Sequence, residues 1–194
     1  MHPDTRQIAE HMKDFGLCLL GRSVVDVAFA EIMNPYSHAM GAIRCAHAAE
    51  IIIKARIAEE HPLLIFAKLP KPTPESNDLL SINELLDEGR TLMYNELPDA
   101  LWAATGYRIP DLKRFQDFGK RRNMLTHLAV PPEVDLPRET LGFAFQVMQP
   151  MINDFWKSDI FEYIGQYDPD ANEDGYIYEQ LEMYKIPFVR KQEE

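Results

Sequence analysis

Apolar side chains recur at every third or fourth position along most of this chain, and no strand-like alternation interrupts them before the C-terminal tail. The pattern predicts an all-α protein. A first helical stretch over 4–33 carries Ile8, Met12, Phe15, Leu19, Leu20, Val24, Val27 and Ala28, with Gly16 and Gly21 as points of bending and Asn34-Pro35 as its stop. The second, over 36–60, is apolar nearly all round (Met40, Ile43, Ala46, Ala49, Ile51, Ile52, Ile53, Ala55, Ile57), which suits the centre of a bundle.

Residues 69–78, with Pro70, Pro72 and Pro74, read as a stiff extended linker. Ser81 and Glu84 have the spacing of a capping box and should start a third helix that reaches Thr105, interrupted near Pro98 and closed by Gly106. Pro110 in the first turn, followed by Asp111, predicts a fourth helix carrying Leu112, Phe115, Phe118, Met124 and Leu125, stopped after His127 by Pro131-Pro132. A fifth, over 137–164, carries Leu141, Phe145, Met148, Ile152, Phe155 and Ile160 and kinks at Pro150. The expected architecture is a bundle of four or five helices over 1–164 with a small acidic, aromatic appendage over 165–194.

Composition narrows what such a bundle does. The net charge of −11 argues against a protein that coats nucleic acid, because that binding comes from neutralising many phosphates at once. The charge is uneven, with nine Asp or Glu against three Lys or Arg over 162–194. Lys113, Arg114, Lys120, Arg121 and Arg122, by contrast, lie within ten residues with only Asp117 among them. A polyanion would be met there. Cys18 and Cys45 sit in apolar helical patterns and suggest neither a disulfide framework nor a metal cluster. With no apolar run long enough for a membrane span, a cytoplasmic protein without membrane contact is expected.

The basic stretch ends in Arg121-Arg122-Asn123-Met124-Leu125-Thr126-His127. It combines a fork of donors that matches phosphate oxygens with an imidazole that can take and give a proton near neutrality. Spacing alone selects nothing, since Arg6 to His11 and Arg56 to His61 repeat it. The third copy differs in its polar Asn123 and in its place at the end of a helix. On an ideal helix Asn123 and His127 share a face, and Arg122 is offset from His127 by roughly 140°. In the second helix Arg44, His47, Glu50 and Lys54 make one polar stripe. That stripe is either a water-facing edge or support for the cleft of Arg122 and His127.

Arg122-Asn123-x-x-x-His127 resembles the signature of HEPN domains, helical bundles many of which are RNA endonucleases in toxin, defence and RNA-processing systems. Glu50-x-x-x-Lys54 resembles a pattern that some of these domains carry. The likeness spans about 1–164. It implies a metal-independent endoribonuclease, working as a homodimer, with Arg122, Asn123 and His127 catalytic and Glu50, Lys54 and His47 supporting them. Lys120, Arg121 and Arg114 are then expected to guide the RNA, 2',3'-cyclic phosphate ends are the expected product, and an antitoxin or regulatory protein is a possible partner. The HEPN subgroup paired with nucleotidyltransferase antitoxins has a tyrosine two positions after the histidine; Ala129 stands there in this chain, so the likeness does not extend to control through that tyrosine. The alternative is a non-catalytic HEPN-like module that binds nucleotide, RNA or protein.

No cofactor is expected, since no glycine-rich phosphate loop and no His-Glu-x-x-His occurs. Asp170, Asn172 and Asp174, followed by Gly175 and Ile177, match the start of an EF-hand loop. Leu181 occupies the twelfth position, where calcium needs a bidentate Glu, and Glu182 comes one place late. An acidic turn is the plainer expectation, with Tyr163, Tyr167, Tyr176 and Tyr178 free to form a small hairpin.

Overall fold

Helix-forming periodicity carries through to the tertiary structure, a computed structural model that describes residues 7–29, 34–71, 79–128, 133–167 and 175–188. The chain is all-α, the helical-bundle class that its sequence pattern predicts, and the described residues contain one small two-stranded ribbon. Packing divides it into two compact units, one of residues 1–15 and 50–108, the other of 16–49 and 109–194. Two long helices, α1 (Ile8–Ala28) and α2 (Ser37–Glu60), contribute residues to both. Between them the Asn34 side-chain oxygen accepts the Tyr36 N–H at 3.0 Å, the local turn that Asn-Pro favours.

In the first unit Ile51, Ile52, Ile53, Ala55 and Ile57 of α2 are buried, as are Ile65, Leu85, Leu97 and Leu101. A 3₁₀ turn, Pro62–Ile65, leads into β1 (Phe66–Lys68), which pairs antiparallel with β2 (Arg90–Thr91). This ribbon is absent from the sequence pattern because its strands are too short to show alternation. α3 (Ile82–Glu88) begins with the expected capping box: Ser81 Oγ accepts the Glu84 N–H at 3.3 Å and Glu84 Oε2 accepts the Ser81 N–H at 2.8 Å. Ser81→Ala should cost about 1 kcal/mol, the usual worth of an N-cap, read from the urea midpoint.

α3 does not continue towards Thr105. It stops at Gly89, where a Cβ would lie 2.3 Å from the Leu85 carbonyl oxygen and 3.0 Å from the Phe66 ring. Only glycine fits. α4 (Leu97–Thr105) then starts afresh, with Pro98 in its first turn rather than at a break, and Gly106 closes it in the left-handed region.

The second unit is built on α5 (Leu112–His127), α6 (Leu136–Phe143), α7 (Gln149–Trp156), α8 (Ile160–Tyr167) and α9 (Tyr176–Met183). Pro110 precedes α5 and lies outside it; Asp111 is the cap, its Oδ1 accepting the Arg114 N–H at 2.9 Å. Phe118 stacks on Phe143 of α6 with ring centroids 4.1 Å apart, and Phe115 lies 6.2 Å from the same ring. Gly21 of α1 lets α8 come close, since a Cβ there would meet the Tyr163 and Ile164 backbone at 3.2 Å. Its role is close packing.

The long helix expected over 137–164 is three pieces. Pro150 has no N–H to donate and its ring crowds the carbonyl four residues back. A π turn over Ala144–Met148 takes up the difference, with the Gln149 N–H donating to the Ala144 carbonyl. α7 then ends at Lys157, which adopts φ 56°, and α8 restarts with Gln149 Oε1 accepting the Ile160 N–H at 2.8 Å. In the tail, Tyr176 and Tyr178 stand on a helix rather than a hairpin. Ile177 and Leu181 are buried there, and Tyr176 packs on Phe29 at 4.7 Å. No helix among the described residues is long and apolar enough to cross a membrane.

Candidate functional site

α5 carries the Arg-Asn-x-x-x-His segment in its last two turns. Phe115, Phe118 and Gly119 define the buried face, and helical geometry puts Arg122 one turn further along that face, where it is half-buried. Asn123 and His127 lie side by side on another face, and both are exposed. The helix stays regular to its end: Thr126 Oγ1 donates to the Arg122 carbonyl at 2.8 Å and the Leu128 N–H to Met124 at 2.9 Å. Arg122 and His127 therefore project roughly 140° apart from one helix, and a single copy of α5 does not put them on one face. His127 sits in the last turn of α5, beside the carbonyls that the helix end leaves without intrahelical partners. Pro131 and Pro132 lie outside the described residues.

Lys113, Arg114, Asp117, Lys120, Arg121 and Met124 of α5 form one wall of an open cleft of about 930 Å³, walled also by α6 and by the segment after α9. Six cations and five carboxylates line it. The three residues expected to guide RNA are among them, and each is engaged within the chain. Arg121 makes a bidentate pair with Glu139 of α6, at 2.9 and 3.1 Å. Lys120 shares Asp117 with Lys113, at 3.1 and 2.8 Å, and these two ammonium groups hold the Asp117 carboxyl below its ordinary range, Lys113 having the larger effect. Arg114 donates to the Gly142 carbonyl at 3.2 Å, and its Nε lies 3.5 Å from Asp111.

The polar stripe of α2 divides between the two units. In the second, Arg44 pairs with Asp26, which also accepts from Arg22 Nε at 3.1 Å, and His47 is exposed. In the first, Lys54 is buried, its side chain only 8% exposed; its Nζ donates to Glu50 at 2.7 Å and to Thr91 Oγ1 at 3.2 Å. Near it Arg90 grips Glu96 with two bonds of 3.1 Å and lowers the Glu96 carboxyl, helped by the Met93 N–H. Burial pushes the Cys45 thiol up to about 12, against a smaller opposing hydrogen bond with Ser23, so this cysteine is an inert core residue.

Among the described residues no group of three His, Cys, Asp or Glu side chains could hold a metal ion. Asp170, Asn172 and Asp174 lie outside them. Sequence reasoning missed Arg138, Tyr184 and Lys185, all of which line the cleft. Only Arg138 had a local signal, the Asp135-x-x-Arg138 spacing in which Asp135 Oδ1 accepts the Arg138 N–H at 3.1 Å. Comparisons with protein-family models, with curated proteins and with solved structures give no match to this chain.

Proposed function

We propose that this protein is a metal-independent endoribonuclease of HEPN type that works as a homodimer in a toxin or defence setting. The observation that carries the reading is the exposure of Asn123 and His127 on one face of α5, next to Leu128. Leu128 is the most exposed of the large apolar side chains among the described residues, at 82%. A second copy covering Leu128 would bring its own His127 into reach of the first. Two imidazoles suffice for the reaction. One removes the proton of the RNA 2'-hydroxyl, whose oxygen bonds to phosphorus; the other gives a proton to the departing 5'-oxygen, leaving a 2',3'-cyclic phosphate. Arg122 would stabilise the charge on the phosphate oxygens and Asn123 would orient the imidazole.

The test is incubation of the pure protein with total RNA and with tRNA in EDTA, followed by identification of the product ends. Cyclic phosphate termini support the reading, and loss of all activity in EDTA rejects it. A second reading, a binding module without cleavage, is favoured by the carboxylates that already engage Lys120 and Arg121. Binding of RNA without any cleavage, where a control RNase cuts, would select it.

A further inference from the structure

The charges that line the cleft of the second unit are not interchangeable. Asp117 and Glu139 are held by lysines and by Arg121, and Asp111 and Asp135 cap the starts of α5 and α6. Subtracting these leaves Arg138 and Lys185, exposed cations that make no ion pair among the described residues, and one exposed carboxylate in the same position, Glu133.

Lys185 stands out for a second reason. The Lys185 N–H donates to Glu182 at 3.0 Å and the Ile186 N–H to Leu181 at 2.8 Å, the complete pattern of a helix end that calls for glycine. Lys185 nonetheless adopts φ 55°, a conformation that costs a side chain free energy. An ammonium held there at that cost lines the cleft. Burial pushes the ionisation of the neighbouring Tyr184 up, and Asp135 and Arg138 then act on the same phenol in opposite directions. The segment after α9 and the start of α6 are therefore close together.

The balance of signs decides what such a cleft takes. Its six cations and five carboxylates leave one positive charge in excess, so a strand of phosphates would meet repulsion along with every attraction. A ligand that carries both signs avoids that repulsion, as a peptide with acidic and basic side chains does. Phe118, Met124 and Ile186 give the lining an apolar part as well. The volume of about 930 Å³ stands at the upper end of small-ligand sites, which suits several residues of a chain better than one small molecule.

We propose that this cleft docks a short peptide segment of a partner protein, with an acidic residue of the segment on Arg138 and Lys185 and a basic residue on Glu133. A fork and a point charge without internal ion pairs suit a carboxylate. Glu133, an acceptor only, takes an ammonium or a guanidinium. The Tyr184 ring offers an apolar body with a polar tip. The docking is independent of His127 and of RNA cleavage.

Selection from a library of random short peptides on the immobilised full-length protein tests it, with an oligouridylate titrated as the nucleic-acid probe. The wild type should enrich peptides that carry Asp or Glu together with Lys or Arg. Arg138→Gln and Lys185→Gly should each lose the acidic preference and bind the best wild-type peptide at least about tenfold more weakly. Glu133→Gln should lose the basic preference alone, a split that a general defect of folding would not produce. Glycine suits the backbone at 185, so Lys185→Gly should melt no lower than the wild type, and its weaker binding then reports the ammonium. No peptide bound at about 1 mM, the same peptides enriched by all three variants, or binding of the oligouridylate through Arg138 with no peptide selected would overturn the assignment. RNA cleavage is measured separately, so failure here leaves the nuclease reading standing, and failure there leaves this one.

Discussion

His127→Ala and Arg122→Ala are each expected to lower RNA cleavage at least about a hundredfold, the smaller end of what a positioned proton-transfer group supplies. The two variants differ in what else they disturb. His127 is exposed at the end of α5, so its removal should leave stability within about 0.5 kcal/mol of the wild type. Arg122 is half-buried on the face that carries Phe115 and Phe118, and truncating it also removes packing. Arg122→Lys separates the effects, because it keeps the stem and the charge and loses only the planar fork. Cleavage that stays low in Arg122→Lys with an unchanged melting temperature assigns the loss to phosphate recognition. Wild-type cleavage by His127→Ala would end the assignment outright.

The dimer adds a condition. Since α5 points Arg122 and His127 roughly 140° apart, the reading needs groups from two copies of α5, and activity per chain should fall on dilution below the dimer's dissociation constant. Concentration-independent activity down to a state shown to be monomeric by sedimentation would contradict it.

What the sequence disclosed was local. The capping box at Ser81 and Glu84 forms because both partners lie within one turn, and α5 ends at His127 as its pattern predicted. What it hid was tertiary. Arg121 and Glu139 are 18 residues apart on two helices, and nothing in a run of cations announces that a carboxylate from elsewhere will hold one of them. Reading Lys120, Arg121 and Arg114 as free guides for RNA followed from composition, and composition does not see partners.

Backbone conformations that go against a residue's preference were hidden too. Lysine is a poor candidate for the left-handed region, yet Lys157 ends α7 and Lys185 follows α9 in that conformation. A pattern-based reading runs straight through the first of them, which is why the predicted fifth helix was too long. The ribbon of Phe66–Lys68 and Arg90–Thr91 escaped for the opposite reason, being too short for any period to register.

Glu50→Leu should destabilise the protein by about 3 kcal/mol, the lower figure for removing one partner of a buried ion pair. The Lys54 side chain is 8% exposed and that of Glu50 17%, so the mutation leaves an ammonium whose other hydrogen bond among the described residues is to Thr91 Oγ1. A hydroxyl does not replace a carboxylate. Lys54→Met with Glu50→Leu removes both charges and should recover most of the loss, because packed apolar groups of similar volume stabilise as well as the pair does. Urea unfolding of the two single variants and the double variant gives the coupling energy directly. The same variants sort the two meanings of the α2 stripe. If Glu50 and Lys54 hold the first unit together and do no more, the double variant should regain cleavage along with stability. If Glu50 supports the chemistry, the double variant should fold well and still cleave poorly. A double variant no more stable than Glu50→Leu would show that the carboxylate's worth lies in contacts other than Lys54.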